Sequence, residues 1–176
     1  GELPFQGDFI APLSPDDQAA LGTRALIVRE FSHEPSFAPA GKSILQTLCF
    51  CDEECARDFI ALRRDKAAYE RRKKEIAARM EAAIGKQLPA LRGKLRCIDV
   101  WTPATYQRYV DSEIGSYMSF AFGGGVLPLG VGNRVRGLDN VLLATQWLQA
   151  PGGLPIAAKC GKRAVESIQR KEGKAK

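Results

Sequence analysis

The chain has 176 residues, a length typical of one domain or slightly more. Its apolar content of 45% and charged content of 26% are those of a globular protein, which excludes a disordered or collagen-like chain. No apolar run approaches the roughly 18 residues of a membrane-spanning helix, and the first residues lack the pattern of a secretory signal. Because the chain begins with Gly1 rather than Met, we expect it to be a piece of a longer protein.

The formal net charge of +6 is concentrated in two segments. Residues 57–96 contain 13 basic and 5 acidic residues, and residues 159–176 contain 7 basic and 2 acidic residues. A basic segment can attract nucleic acid or anionic lipid, but it is also the usual composition of a solvated helix face. Phe59 and Tyr69 are the only aromatic residues of the first segment, and no nucleic-acid-binding motif is present, so we predict no nucleic-acid partner. Peripheral contact with a membrane stays open.

The first fifty residues predict a short helix and a pair of strands. Little periodicity is found in residues 1–23, except for a helical turn at Pro15–Leu21. Residues 23–31 contain the run Ala-Leu-Ile-Val, which predicts a strand. After a loop rich in Pro and Gly, residues 43–51 predict a return strand, antiparallel to the first.

The next segment predicts a long helix. Acidic residues at 52–54 are typical of a helix start, and the helical pattern continues from 55 to 86, with a break near 64–66. Gly85 and Pro89 end it. One apolar stripe follows the helical period and predicts a core face: Leu62, Tyr69, Ile76, Met80 and Ala83.

The chain then predicts a strand at 95–101 and a short helix, with Thr102 as its N-cap and Pro103 in its first turn. Residues 115–132 combine six glycines with aromatic and aliphatic residues. This composition favours a backbone that closely approaches a flat or elongated ligand, and the alternative is a surface loop. Four aromatic residues either line an apolar tunnel or belong to the core: Trp101, Tyr117, Phe120 and Phe122.

The cysteine pattern predicts no metal site. The five cysteines are an odd number, and without an export signal they indicate free thiols in a reducing, cytoplasmic compartment. Cys49, Cys51 and Cys55 form the only cluster, and a second ligand pair of the kind that zinc requires is missing. The single histidine, His33, lies far from a second candidate ligand in the sequence.

The last forty residues predict a strand, a glycine turn and a helix. Asn140–Ala144 is a continuous apolar run, which predicts a strand buried on both faces in a parallel sheet. A helix is predicted from Pro155 to about Gln169, with a stripe of small residues that allows close packing. Ligands of open α/β sheets bind beyond the strand ends, often at a helix N-terminus. We therefore expect the N–H groups of Gly153 and Leu154 to face a ligand.

The absence of a phosphate-binding motif restricts the kind of ligand. Neither G-x-x-x-x-G-K-[ST] nor G-x-G-x-x-G occurs in the sequence. A helix N-terminus without such a motif fits a neutral, polarisable ring such as a flavin, whose pyrimidine carbonyl becomes more negative on reduction.

These residues carry a family resemblance. The stretch 137–144, Trp147 and the Pro-Gly-Gly-Leu-Pro of 151–155 resemble the C-terminal flavin motif of FAD-dependent oxidoreductases similar to phytoene desaturase and carotenoid isomerase. Upstream pieces follow in the order of the family: residues 35–42, Tyr69 with Lys73, residues 88–91 and residues 102–109. Together they cover most of residues 30–170.

The resemblance implies an α/β fold of two parts. Residues 1–122 would be an α+β segment of the substrate domain, with a mixed sheet and a long helix. Residues 123–176 would contain the last strand and helix of an FAD-binding domain and a basic tail. The flavin ring would lie near the start of the last helix, and the cofactor-binding residues implied are Thr145, Gln146, Trp147, Gly152, Gly153, Leu154 and Pro155.

The resemblance also implies a function and a partner. Relatives of this kind are desaturases, isomerases or saturases that act on a long apolar polyene. The acidic residue that many flavoproteins place near this strand end is replaced here by Ala144-Thr145-Gln146, and no catalytic residue is assigned. The partner would be the family's dinucleotide-binding half, so we expect this chain alone to lose FAD, to be inactive and to self-associate. The alternative is a non-catalytic binding module that reuses the same half-fold.

Overall fold

The structure is a computed structural model that describes residues 3–119 and 131–173. It divides into two compact units, Gly1–Gly115 and Ser116–Lys176. The described residues form helices and small antiparallel sheets, so the expected combination of α and β structure is confirmed. The sheets are antiparallel in the described part of the chain, and the mixed sheet expected for the first part is wrong there.

The sheet of the first unit has three strands in the order β1-β2-β3. β2 (Ala25–Glu30) and β3 (Leu45–Leu48) form the predicted antiparallel pair, with Val28 opposite Thr47. β1 (Asp8–Pro12) pairs with the other edge of β2 and was not predicted. It is a short edge strand that ends in a proline, so its sequence resembles that of a loop.

The helices of the first unit begin at side chains that cap their first N–H groups. In α1 (Pro15–Leu21), the Asp17 N–H donates to Ser14 Oγ over 3.3 Å. The predicted break divides the next segment into α2 (Glu53–Leu62) and α3 (Lys66–Gln87). Asp65 starts α3 because its carboxylate accepts a hydrogen bond from the Ala68 N–H over 3.0 Å.

The core of the first unit lies between β2 and α3. Leu26 and Val28 of β2 are fully buried, and three members of the predicted α3 stripe, Tyr69, Ile76 and Ala83, are buried in the same cluster. α4 (Pro103–Val110) contributes Ala104 to this core. The predicted apolar stripe is therefore a core face.

The strand expected at 95–101 is wrong. These residues pair with no strand in the described parts of the chain, and side chains bind their polar groups instead. The Cys97 N–H donates to Glu81 Oε1 over 2.9 Å, and Trp101 Nε1 donates to Asp99 Oδ2 over 2.8 Å. An apolar run becomes a strand only where a neighbouring strand offers its backbone groups.

The second unit contains a hairpin and one long helix. β4 (Arg134–Val135) and β5 (Leu138–Leu142) pair antiparallel, and α5 (Leu154–Gly173) follows. The expected helix is confirmed, but the expected parallel strand, buried on both faces, is wrong: β5 is mostly exposed. Most of the Gly-rich segment, together with Phe120 and Phe122, lies outside the described residues.

In the described parts of the chain, no helix combines the length and the apolarity that crossing a membrane would take.

Glu30 ties the end of β2 to the loops around it. Its side chain is only 4% exposed, and its carboxylate accepts hydrogen bonds from the N–H groups of Gly7 (2.9 Å) and Ser32 (2.6 Å). These hydrogen bonds lower the pKa of Glu30 from 4.5 to about 2, and the bond from Gly7 has the largest effect. The charged form of Glu30 therefore stabilises the folded first unit.

We predict an acid-dependent loss of stability that originates at Glu30. Because the folded pKa is depressed, the stabilisation is complete above pH 4.5 and is lost as the pH falls towards about 2. Chemical denaturation across this range measures it. Glu30→Gln should unfold at a lower denaturant concentration at pH 6 and should show a weaker pH dependence. An unchanged pH dependence in Glu30→Gln would contradict the assignment.

Candidate functional site

The structure brings the predicted cofactor-binding residues together at the start of α5. Thr145 begins a short 3₁₀ helix, Gln146–Leu148, and its Oγ1 accepts a hydrogen bond from the Trp147 N–H over 3.4 Å. This 3₁₀ helix packs against α5. Between the two, residues 151–153 form a tight connection, in which the Ala150–Pro151 peptide bond is cis.

Gln146 links both sides of this connection. Its Nε2 donates to the Tyr117 carbonyl oxygen over 3.1 Å, and its Oε1 accepts from the Gly153 N–H over 2.7 Å. The expectation that the Gly153 N–H faces a ligand is therefore wrong. The amide side chain lies close enough to satisfy a donor that the helix leaves without an intrahelical acceptor.

The two glycines of the connection have different surroundings. Both have a φ of +84°, a conformation that favours glycine. A Cβ on Gly152 would lie 2.5 Å from the Ser119 backbone nitrogen, whose N–H donates to the Pro151 carbonyl over 3.0 Å. A Cβ on Gly153 would meet no atom closer than Met118 Cε, at 3.7 Å. Gly152 is thus closely packed, whereas a Cβ on Gly153 would make only ordinary van der Waals contacts with Met118 and Pro155.

The first turn of α5 is accessible. Leu154 is 87% exposed and Pro155 is also exposed, whereas Cys160 and Ala164, further along the helix, are buried. The first N–H groups of a helix have no intrahelical acceptor and carry partial positive charge. This end of α5 therefore offers an electropositive surface next to Gly153.

These residues leave a planar ring access to the start of α5, but they offer it fewer N–H donors than the sequence predicted. Gly153 presents no side chain to a ring, but Met118 Cε and Pro155 Cδ lie within 4 Å of the place of its missing Cβ. Leu154 supplies the first N–H of α5, whereas the Gly153 N–H is bound to Gln146 and is not a second donor. A flavin ring would thus be held by the exposed start of α5, beside Trp147 of the adjoining 3₁₀ helix and its N-cap Thr145.

The cysteine cluster offers neither a metal site nor a reactive thiol. Burial and the neighbouring Cys55 thiol raise the pKa of Cys51 to about 12, and burial raises the pKa of Cys49 as well. Such thiols are protonated at neutral pH and are weak nucleophiles. Within residues 3–119 and 131–173, no three His, Cys, Asp or Glu side chains are arranged to hold a metal ion.

The first unit contains a cleft that the sequence did not predict. The cleft has a volume of about 420 Å³ and lies between the α2–α3 junction, residues 99–101 and α4. Trp101 lies at the edge of this cleft and is 56% exposed, so it does not belong to the core. The signal available in the sequence was the spacing of Trp101, Tyr106 and Tyr109, which places the tryptophan beside one face of α4.

We predict that the two glycines respond differently to alanine. Gly153→Ala should lower the free energy of unfolding by about 1–2 kcal/mol, the cost of a positive φ. Gly152→Ala should cost about 1–3 kcal/mol more, because its Cβ overlaps the Ser119 backbone. Denaturant titration measures both losses. Equal losses would show that Ser119 does not pack against Gly152 as described.

Comparison with known proteins adds no relative. No protein-family model, no curated protein and no solved structure matches the chain. The resemblance stated above therefore rests on the residues of this chain alone.

Proposed function

We propose that the chain is the C-terminal portion of an FAD-dependent oxidoreductase of the desaturase, isomerase or saturase type. Its substrate is a long apolar polyene or a related molecule. The observation that carries the proposal is the exposed first turn of α5, which follows directly on Gly153. A bound flavin would supply the hydride chemistry, and the protein supplies position and electrostatics.

The electrostatics of α5 suit the ring. Its N-terminal N–H groups favour negative charge, and the nearest charged side chain that follows them on the helix is Lys159, also positive. The exposed start of α5 thus stabilises a ring carbonyl that becomes more negative on reduction. Gln146 does not bind the ring through the Gly153 N–H; it holds the connection between the two glycines and α5 in place.

The apolar surface of the second unit supports the proposed partner. Apolar side chains are exposed on β5, on the residue that follows it and on α5: Leu138, Val141, Leu143, Leu154, Val165 and Ile168. The sequence of β5 is typical of a buried strand, although β5 is exposed here. Such an apolar surface suits burial by a partner. The dinucleotide-binding half of such an oxidoreductase is the proposed cover, and it would supply most of the FAD contacts.

The proposal places the enzyme in a reducing, cytoplasmic compartment. Arg71 and Lys74 on the exposed side of α3 suit peripheral contact with an anionic membrane, where apolar substrates reside.

One observation favours the alternative, a non-catalytic binding module. The Gly153 N–H is satisfied inside the chain, so the connection is complete without a ligand. In this alternative the start of α5 would contact a protein segment instead of a flavin.

We predict that a negative charge at position 154 lowers the reduction potential of the flavin. The gene product that contains this sequence should carry FAD when it is purified from its source. Leu154→Asp should lower the reduction potential of the flavin, because a carboxylate opposes the negative charge that the ring gains. Leu154→Asn is the neutral control and should leave the potential nearly unchanged. Spectroscopic redox titration measures the difference.

Both variants are expected to fold, since Leu154 is exposed and an acidic residue suits the first turn of a helix. A colourless gene product that releases no FAD on denaturation contradicts the flavin proposal. Equal potentials in the two variants contradict the position of the ring.

We predict that the 176-residue chain associates with itself through α5. Sedimentation velocity should show larger species as the concentration rises. Val165→Lys combined with Ile168→Lys should return the chain to a monomer, because it places charge on the apolar face. Gln169→Lys adds charge at an exposed polar position of the same helix and should have no effect. A wild-type chain that stays monomeric would oppose a covered face.

A further inference from the structure

The cleft of the first unit contains an exposed pair of stacked aromatic rings. The ring centroids of Trp101 and Tyr109 are 5.9 Å apart and the rings are inclined by 13°, although the two residues are 56% and 66% exposed. The rings of Tyr106 and Trp101 are inclined by 63° with a centroid distance of 5.6 Å, and Asp99 Oδ2 accepts the Trp101 Nε1–H. The indole is thus held in a fixed orientation while much of it remains accessible, and a flat ring can stack on such a surface.

The two carboxylates of the cleft already have partners. Asp99 accepts from Trp101 Nε1 and lies 3.9 Å from Lys73 Nζ. Glu70 lies 4.0 Å from the same ammonium group, which also lies over the Tyr69 ring. Lys73 and the two carboxylates therefore form one group with a net charge of −1, and the two carboxylates make no ion pair with the other cations of the cleft.

Three cations remain without a carboxylate partner among the residues described. Arg63 and Lys66 line the cleft at the α2–α3 junction, and Arg108 lines it from α4. None of them lies within 4.0 Å of an acidic side chain in the described ranges, and Arg108 contacts the Tyr109 ring instead. Guanidinium groups in such a position are suited to a phosphate, which they bind through paired hydrogen bonds.

The charge of the lining agrees with this ligand. Four cations and two carboxylates line the cleft, a net charge of +2. A phosphate monoester carries a charge of about −1.5 to −2 at neutral pH. The volume of about 420 Å³ lies within the range of small-molecule sites, which is roughly 300–1,000 Å³.

We propose that this cleft binds a flat heteroaromatic ring that carries a phosphate, which is the chemistry of a nucleotide. The ring stacks on Trp101, and the phosphate is bound by Arg108 together with Arg63 and Lys66. The cleft lies wholly within the first unit, so the proposal is independent of a flavin at the start of α5.

Equilibrium dialysis of the 176-residue chain against labelled adenosine monophosphate tests the proposal. Binding should be saturable, and adenosine or inorganic phosphate should compete at least about tenfold more weakly, because each provides only half of the contacts. Arg108→Gln and Trp101→Leu should each weaken binding about tenfold, the size expected for one charge-assisted hydrogen-bond pair or one stacked base. Arg71→Gln is the matched control, because it removes one exposed charge outside the cleft and should change the affinity less than twofold.

Three outcomes would overturn the proposal. These are the absence of saturable binding, an adenosine affinity equal to that of the nucleotide, and equal weakening by Arg71→Gln and Arg108→Gln, which would indicate diffuse charge attraction. Circular dichroism and the unfolding midpoint check that the variants fold. If Trp101→Leu does not fold, Arg108→Gln and the competition by adenosine decide. Leu154→Asp should leave nucleotide binding unchanged, so failure here and failure of the flavin proposal give different results.

Discussion

The second unit depends on the two hydrogen bonds of Gln146. One side-chain amide binds the carbonyl of Tyr117 and the N–H of Gly153, two groups that are 36 residues apart in the chain. Gly152 supports this arrangement, because the Ser119 backbone lies too close to allow a Cβ at position 152. The start of α5 is thereby fixed in position before any ligand binds. A site prepared in this way loses little conformational entropy on binding.

The two glycines of this connection have different roles. Gly152 is required by packing, and the N–H of Gly153, which sequence reasoning assigned to a ligand, holds the connection together. What remains for a ring is the exposed first turn of α5. The proposed oxidoreductase therefore depends on an electropositive surface, with fewer direct hydrogen bonds than expected.

The two units present different kinds of accessible surface. In the second unit β5 and α5 expose several apolar side chains, which suits a protein partner. In the first unit the cleft combines stacked aromatic rings with three cations that have no carboxylate partner within the described residues, which suits a small anionic ligand. Both carboxylates of the cleft lie next to Lys73, and they form no ion pair with Arg63, Lys66 or Arg108.

The sequence by itself determined those elements whose signals are local. Thr102 was predicted as an N-cap because it lies within three residues of the N–H group it serves, and the caps Ser14 and Asp65, which were not predicted, act over the same short distance. The α3 stripe identified a core face because its period is a property of one helix. Only the tertiary structure decided which extended segments become strands: β1 pairs with an edge of β2, whereas residues 95–101 pair with no strand among the described residues. The same holds for the Gly153 N–H and the Trp101 cleft, since both depend on side chains that are distant in sequence and meet only in the folded chain.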